Sequence, residues 1–372
     1  MDTIFALATA SGRAGVSVIR LSGPDAVKIA SGLMTDVPLD RGLRILRDAS
    51  GAVIDHALVL SFQAGHSFTG EDVVELQTHG SPAVVKAVSA RLHTLGARHA
   101  EAGEFTRRAL DNGRLDLSQV EGLADLIDAE TEMQRQQAVR VFTGGMGDLV
   151  EQWRRKLIRA AALVEATIDF ADEEVPTDVS PEVTDLLSGV KMQLQREIAG
   201  ASVAERLRSG FEVAIIGAPN AGKSTLLNRL AGRDAAITSE IAGTTRDVIE
   251  VNFDLHGIPV TFLDTAGIRE TEDTVERLGV QRALDRSRRA DLRVVLKSDD
   301  DGMDDEISEA DLVYLAQADR FGEPVNAVSG RTGYGVEKMI ADIHDRLADR
   351  VRSTSTATRE RHVIAMSRSI DG

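Results

Sequence analysis

The sequence contains no cysteine, which excludes disulfide bonds and thiolate metal ligands. Aromatic residues make up only 3% of its 372 residues, and no apolar run approaches the length of about 20 residues that a membrane-spanning helix needs. Positive charge is also scarce, because 43 Lys and Arg face 59 Asp and Glu, which gives a formal net charge of −16. This balance argues against an extensive basic surface for nucleic acid, although a local patch is compatible with it.

Apolar residues make up 42% of the chain, enough for sizeable cores in two or three domains. Short strands alternate with helix-like stretches over residues 1–117, which predicts an α+β domain. Residues 118–208 have a helical pattern, and an α/β domain follows over residues 209–350. The tract 353–358 predicts a short linker or the cap of a helix that begins near Arg359. One face of the helical segment carries Trp153, Leu157, Ala161, Val164 and Ile168.

Residues 217–224 read Gly-Ala-Pro-Asn-Ala-Gly-Lys-Ser and match the phosphate-binding pattern Gly-x-x-x-x-Gly-Lys-Ser/Thr at every fixed position. The apolar segment 211–216 predicts a strand before this loop, and residues 225–230 predict a helix after it. Backbone N–H groups of such a loop surround a β-phosphate, Lys223 reaches the β- and γ-phosphate oxygens, and Ser224 is placed to ligate Mg²⁺. The predicted nucleotide contacts are Asn220, Ala221, Gly222, Lys223, Ser224 and Thr225.

Two further motifs follow in the order found in GTPases, Gly-Thr-Thr-Arg-Asp at residues 243–247 and Asp-Thr-Ala-Gly at residues 264–267. We expect Thr245 to supply a second hydroxyl to Mg²⁺, Asp264 to hold the metal through water, and the Gly267 N–H to contact the γ-phosphate. Together with the phosphate loop, these motifs predict a GTPase. The contacts predicted from them are Thr244, Thr245, Asp264, Thr265, Ala266 and Gly267.

The residue after Asp-Thr-Ala-Gly is Ile268, where many GTPases place a Gln that orients the attacking water. An apolar side chain cannot orient water, so hydrolysis requires another residue or a partner in trans. Arg246 is the nearest candidate for an arginine finger, although it directly follows the Mg²⁺ threonine. We therefore expect Lys223, Thr245 and Asp264 to act in catalysis together with a further group that these motifs do not identify.

Translation-factor-type GTPases bind guanine with Asn-Lys-x-Asp, and this motif is absent from the sequence. Two segments can take its place: Ala-Gln-Ala-Asp, ending at Asp319 after the apolar run 312–315, and Leu-Lys-Ser-Asp, ending at Asp299 after the run 292–295. We prefer Asp319, because Val-Ser-Gly-Arg at residues 328–331 follows it in the place of a Ser-Ala-Lys loop; a plain turn residue is the alternative. Without the Asn and Lys of that motif, the affinity for guanine should be lower. The predicted guanine-side contacts are Asp319, Ser329, Gly330 and Arg331.

Three sequence blocks precede the phosphate loop. They comprise residues 2–4 with 15–23, residues 68–80, and residues 102–109 with 115–119 and Glu121. The second block reads Phe-Thr-Gly-Glu-Asp-Val-Val-Glu-Leu-Gln-Thr-His-Gly. With these blocks, nearly the whole chain resembles the tRNA-modification GTPases called MnmE or TrmE. The resemblance implies an N-terminal α+β folate-binding-type domain, a central helical domain, an inserted Ras-like P-loop G domain, and a returning helical segment that starts with residues 351–372.

Specific binding sites are also implied by the resemblance. Arg20, Glu75 and Arg114 fall where the family binds a tetrahydrofolate one-carbon carrier, a 5-formyl or 5,10-methylene derivative, in a dimeric N-terminal domain. Glu276 matches the family's water-positioning acid and would orient the attacking water, which Ile268 cannot do. The implied K⁺ ligands, which lie beside the phosphates, are Asn220, Ser239, Ile241 and Thr244.

The resemblance also implies a protein partner, an FAD-dependent protein called MnmG or GidA, which forms a heterotetramer with members of the family. By the same resemblance, the two proteins together build a 5-carboxymethylaminomethyl or aminomethyl group on the wobble uridine of tRNA. The nucleotide chemistry predicts a cytoplasmic protein with no membrane contact. In the family the chain continues and closes with Cys-Ile-Gly-Lys, which these residues do not include. Two alternatives stay open: a ribosome-assembly GTPase, which should carry a basic RNA-binding appendage, and a folate-binding scaffold without turnover.

Overall fold

The computed structural model describes residues 2–34, 41–169, 179–218, 220–233, 235–237, 250–264, 286, 288–298, 307–322, 324–351 and 355–371. The chain forms two compact units, Met1–Val120 and Glu121–Gly372. Across the described ranges, no helix combines the length and the apolar character that crossing a membrane requires.

The first unit is built on a six-stranded sheet. Its strands are β1 (Ile4–Leu7), β2 (Ala14–Ser22), β3 (Gly42–Arg47), β4 (Val53–Phe62), β5 (Val73–Gly80) and β6 (Arg98–His99). Its helices are α1 (Ala26–Ser31), α2 (Pro82–Thr94) and α3 (Glu104–Asp111). The strand order is β3-β4-β5-β2-β1-β6, and every pair is antiparallel except β1 with β6. The predicted α+β class of this part of the chain is confirmed.

The alternation of side chains along β2 decides which residues face the core. Ile19 and Leu21 are fully buried in an apolar cluster that α1 and α2 help to form. Because successive side chains of a strand point to opposite faces, Arg20 lies on the other face of the sheet. The register places Arg20 directly opposite Glu75 of β5. The sheet thus presents this charged pair on the face away from its apolar core.

The second unit combines long helices with another six-stranded sheet. Helix α4 (Leu117–Ile127) runs across the boundary between the units, and the other helices are α5 (Glu132–Phe142), α6 (Gly145–Asp169), α7 (Ser180–Ser209), α8 (Lys223–Ala231), α9 (Val336–Val351) and α10 (Glu360–Asp371). The strands are β7 (Phe211–Gly217), β8 (Ala236–Ile237), β9 (Glu250–Leu255), β10 (Ile258–Asp264), β11 (Leu292–Lys297) and β12 (Leu312–Leu315).

The sheet of the second unit has the order β12-β11-β7-β10-β9-β8. Strands β12, β11, β7 and β10 are parallel, whereas β9 and β8 pair in antiparallel fashion at one edge. The parallel strands are rich in buried apolar residues, as expected when helices cover both faces. This arrangement confirms the predicted α/β class. Because the carboxyl ends of parallel strands share one edge, the loops after them converge there.

Helices α6 and α7 pack through a small apolar core that includes Trp153, whose indole N–H donates to Gln193 Oε1 over 3.0 Å. The predicted apolar face of α6 is only partly covered within the described residues. Trp153 is 6% exposed, whereas Ile168 is 69% exposed. Leu157, Val164 and Ile168 instead line a groove of about 450 Å³ together with Val183 and Leu187 of α7.

The chain returns to α7 after α9. Glu197 Oε2 accepts hydrogen bonds from Ser355 Oγ at 2.6 Å and from both Oγ1 and the backbone N–H of Thr356 at 2.9 Å. Residues 355–358 are all buried. Arg359 then bonds to Asp125 at 2.7 Å as α10 begins. The described part of the tract predicted as a linker or helix cap, residues 355–358, is therefore buried and bonded to α7.

Candidate functional site

The phosphate loop connects β7 to α8, as the motif predicts. Its backbone requires glycine at two places. A Cβ on Gly217 would lie 2.5 Å from the Leu296 carbonyl oxygen, and Gly222 caps α8 with a φ of 89°. Asn220 also has a left-handed backbone, with a φ of 65°. Together these residues turn the chain sharply so that α8 begins directly behind the loop, where its N-terminus favours bound anions.

Lys223 occupies the first turn of α8 and is only 6% exposed. Its Nζ donates to the carbonyl oxygens of Gly217 at 2.6 Å and Ala218 at 2.8 Å. The ammonium group therefore lies inside the loop that would surround a phosphate. Ser224 follows in the same helical turn and is half-buried, so its hydroxyl is available to a metal ion bound at the loop.

A cavity of about 180 Å³ adjoins the phosphate loop. Ala221, Gly222 and Thr225 form one wall, Gln317 and Asp319 a second, and residues 328–331 a third. A Cβ on Gly330 would lie 2.6 Å from the Leu226 backbone nitrogen, so only glycine allows this close approach to α8. The structure thus brings the predicted phosphate and guanine segments together around one cavity.

Asp319 lies in a short 3₁₀ turn, Ala318–Arg320, just after β12. Its Oδ1 accepts from Ser329 Oγ at 2.6 Å, and the Arg331 guanidinium donates to its Oδ2. The hydrogen bond from Ser329, with the positive charge of Arg331, lowers the pKa of Asp319 below its usual range. A carboxylate that stays ionised offers further acceptor sites to the N–H groups of a base edge. The alternative candidate, Asp299, lies outside the described residues.

Gln317 is a site residue that the sequence reasoning missed. It stands where Asn-Lys-x-Asp has its Lys, and its Nε2 donates to the Asn220 carbonyl oxygen at 2.6 Å. The position within the degenerate motif was the one signal that could have identified it. Ala316, at the position of the Asn, is 2% exposed and has no polar side chain to offer.

Most of the two GTPase motifs downstream of the phosphate loop lie outside the described residues. Asp264 is the last residue of β10, and its backbone pairs in register with Ile215 of β7, close to the start of the phosphate loop. The predicted residues outside the described part are Ser239, Ile241, Thr244, Thr245, Arg246, Thr265, Ala266, Gly267, Ile268 and Glu276.

In the first unit, Arg20 and Glu75 form an ion pair with an N–O distance of 2.8 Å. Their side chains are 30% and 16% exposed, and the Arg20 guanidinium carbon lies 5.8 Å from the centre of the Phe68 ring and 5.9 Å from that of Phe105. Arg114 packs against Gly70, two residues after Phe68, since a Cβ on Gly70 would lie 3.2 Å from Arg114 Cγ. The pair is thus a polar patch beside two aromatic rings.

A second arginine of this unit is buried among carboxylates. Arg108 is 6% exposed and bonds to Asp2 at 2.9 Å, Glu71 at 3.1 Å and Glu104 at 3.0 Å. Arg98 joins the group through Glu104 at 2.8 Å and Asp2 at 2.6 Å. The hydrogen bond from Arg98 is the main cause that lowers the pKa of Glu104 to about 2. Sequence spacing gave no sign of this cluster.

No group of three or more His, Cys, Asp or Glu forms a metal cluster in the described ranges. Mg²⁺ bound beside a phosphate takes few protein ligands, because phosphate and water oxygens complete its shell. The half-buried Ser224 hydroxyl at the loop is compatible with that mode of binding. A metal ion at this site would therefore require the nucleotide as well as the protein.

Comparisons with known proteins cover the whole chain. The family model described as "GTP-binding protein TrmE N-terminus" matches residues 3–114, and the model described as "MnmE helical domain" matches residues 117–372. A curated protein of Roseobacter denitrificans named tRNA modification GTPase MnmE is 60% identical over 374 residues, which cover 100% of this chain and 87% of that protein. A protein of the same name from Ruegeria pomeroyi is also 60% identical, over 375 residues, with 100% and 87% covered.

Among solved structures, Aquifex aeolicus Era bound to GDP and AlF₄⁻ is 26% identical, with a TM-score of 0.29. It covers 36% of this chain, and the match spans 56% of that chain. The two relatives and the two family models extend over both units of the molecule. On their strength, the chain belongs to the tRNA modification GTPase MnmE family.

Proposed function

We propose that this chain binds and hydrolyses GTP and that it acts in the modification of the wobble uridine of tRNA. One observation carries the proposal: the phosphate loop with Lys223 and the loop with Asp319 line a single cavity. A nucleotide with its phosphates at the start of α8 and its base at Asp319 would occupy that cavity. Family membership favours tRNA modification over ribosome assembly.

The phosphates would lie at the N-terminus of α8. Lys223 would exchange its carbonyl partners for β- and γ-phosphate oxygens, and Ser224 with Thr245 would ligate Mg²⁺, which supplies positive charge between the phosphates. Asp264 would hold the metal shell through water. Thr225, the 3₁₀ turn and loop 328–331 would enclose the nucleoside.

Hydrolysis would require a positioned water and a second positive charge. We assign the water to Glu276, because Ile268 cannot orient it. K⁺ would supply the charge, held by the side-chain oxygen of Asn220 and by oxygens of Ser239, Ile241 and Thr244. Neutral oxygens arranged for K⁺ fit the smaller Na⁺ poorly, so the choice of cation should affect the rate.

The open face of the first sheet would bind a tetrahydrofolate derivative. The Arg20–Glu75 pair offers both donors and acceptors, and the rings of Phe68 and Phe105 lie close by. This combination of flat apolar and polar groups fits a planar heterocycle. Arg114, beside Gly70, would contribute a further positive charge. We propose that this domain, residues 1–117, also forms the homodimer.

Residues 118–208 and 351–372 would form the helical domain, into which the G domain, residues 209–350, is inserted. The net charge of −16 makes a basic partner useful for holding tRNA. We propose that an FAD-dependent protein of the MnmG or GidA type serves as this partner in a heterotetramer, and that the complex works in the cytoplasm. Its product would be a 5-carboxymethylaminomethyl or aminomethyl group.

A GTP hydrolysis assay at equal ionic strength in K⁺ and in Na⁺ tests the central proposal. We expect clearly faster turnover in K⁺, and the Glu276→Ala variant should bind GTP normally while its rate falls at least about tenfold, or about 1.4 kcal/mol. Binding of GTP without turnover in either salt would support a folate-binding scaffold instead. Equal rates in both salts would overturn the K⁺ site and point to an arginine finger from a partner.

A further inference from the structure

Gln317 and Asn220 share an uncommon backbone conformation. Four residues other than glycine have a positive φ among those that the structure describes, and these two are among them, at 52° and 65°. A left-handed backbone costs such residues about 1 kcal/mol or more and persists where the surroundings enforce it. Gln317 and Asn220 are 97 residues apart in the sequence, yet they meet at the same cavity. The two residues are joined there by a direct contact.

The contact is a hydrogen bond with a defined direction. Gln317 Nε2 donates to the Asn220 carbonyl oxygen at 2.6 Å. The Gln317 side chain also passes close to Gly222, since a Cβ on that glycine would lie 3.9 Å from Gln317 Cγ. The bond therefore joins the loop after β12 to the phosphate loop after β7, two segments that no strand pairing connects directly in this sheet.

We propose that Gln317 is a positioning residue that clamps the phosphate loop to the guanine-side loop and so slows nucleotide release. The inference rests on the proposed function, since it concerns the same nucleotide cavity. A nucleotide bound there would contact both loops, and the Gln317 bond holds the two loops together. The chain thus retains a donor at the place of the missing Lys, although it has lost the positive charge.

The chemistry of the amide sets what the clamp needs. The Asn220 carbonyl oxygen is an acceptor, so the side chain at position 317 must present a donor. Lysine also presents one, whereas an ionised glutamate of nearly the same shape presents only acceptors and would repel the carbonyl oxygen. Alanine presents neither. Replacing Gln317 with each of these residues therefore separates the donor from the shape and the charge of the side chain.

The test measures release of a fluorescent GDP analogue from the full chain in a chase experiment. We expect Gln317→Ala to release it roughly threefold to tenfold faster, as fits one partly exposed hydrogen bond. Gln317→Glu should be at least as fast, and Gln317→Lys should stay within about twofold of the unmodified protein. Gln136→Ala is the matched control, because Gln136 is exposed on α5 and its amide donates to Glu132 at 2.8 Å.

A second measurement does not depend on nucleotide. Amide hydrogen exchange of residues 220–225 in the nucleotide-free protein should be faster in Gln317→Ala than in the unmodified chain, with the melting temperature unchanged. Unmodified release in both Gln317→Ala and Gln317→Glu would overturn the clamp, as would a Gln317→Lys variant as fast as Gln317→Ala. Failure of the unmodified chain to bind GDP would overturn the proposed function, and unchanged exchange in Gln317→Ala would then overturn the clamp separately.

Discussion

Arg108 in the first unit and Lys223 in the second are both 6% exposed, yet different kinds of groups hold them. The Arg108 guanidinium bonds to the carboxylates of Asp2, Glu71 and Glu104, whereas Lys223 Nζ donates to backbone carbonyl oxygens of the phosphate loop. Backbone carbonyls at a helix N-terminus are partners that phosphate oxygens can replace. The three carboxylates around Arg108, whose side chains range from 3% exposed at Glu104 to 56% at Asp2, already neutralise its charge. Burial alone therefore does not distinguish the two charges, whereas the chemistry of their partners does.

The largest effect should come from breaking the first of these environments. Arg108→Ala removes the cation that Glu71 and Glu104 share and leaves Glu104, which is 3% exposed, with Arg98 alone, so we expect the first unit to lose about 3 kcal/mol of unfolding free energy. Denaturant unfolding followed by circular dichroism measures this loss. Arg20→Ala is the matched control and should cost less than about 1 kcal/mol, because its ion pair is partly exposed. Equal losses in the two variants would contradict the comparison.

Removing the other buried cation should weaken binding and spare the fold. Lys223→Ala should reduce GTP affinity at least about 100-fold, which corresponds to about 2.7 kcal/mol, because the phosphates lose a charge-assisted contact. Isothermal titration with GTP measures the affinity, and a thermal melt checks that the second unit stays folded. An affinity equal to that of the unmodified chain would disprove the role of the phosphate loop.

A smaller effect should appear at the other end of the cavity. Asp319→Asn replaces an acceptor oxygen with a donor, so GTP affinity should fall about tenfold while xanthosine triphosphate, which presents an acceptor there, should bind more tightly than GTP. Competition between the two nucleotides reports the exchange of preference. If Asp299→Asn produces that exchange and Asp319→Asn does not, the guanine loop is the one after β11.

The smallest effect should be the loss of stability when the pH is lowered from 5 to 4. The pKa of Glu104 is lowered from its ordinary value near 4.5 to about 2 in the folded chain. Its contribution to stability is therefore complete above the unfolded pKa and is lost as the pH falls toward the folded pKa, between about pH 5 and pH 2. We expect a loss of less than about 1 kcal/mol from pH 5 to pH 4 and a steeper loss below. Urea unfolding at each pH measures the free energy of unfolding. In the Glu104→Gln variant this free energy should depend less on pH.

Local pattern was sufficient to predict the elements around the phosphate loop. Segment 211–216 forms a strand that runs one residue further, to Gly217, and the helix predicted over 225–230 is the inner part of Lys223–Ala231. The run 312–315 coincides with β12. These elements follow from apolar runs and glycine positions, which neighbouring residues determine. The chain supplies such signals within a few residues of the place where they act.

Contacts between distant residues gave no comparable signal. Asp2 and Arg108 are 106 residues apart, and each reads from sequence as an ordinary surface charge. The bond from Gln317 to Asn220 depends on how two loops 97 residues apart meet in space, which the motif around Gln317 does not express. Register on the first sheet brought Arg20 and Glu75 together, and no spacing rule in the sequence expresses that pairing.

The hydrogen bonds between Glu197 and the Ser355–Thr356 segment also impose an order on biosynthesis. Glu197 precedes Ser355 by 158 residues. A ribosome that adds about 5–20 residues per second needs roughly 8–32 s to synthesise that stretch. During this delay the Glu197 carboxylate of the nascent chain stays in water, while the whole nucleotide-binding sheet emerges and has time to fold. The bonds that join Ser355 and Thr356 to α7 can therefore form only after that sheet has emerged.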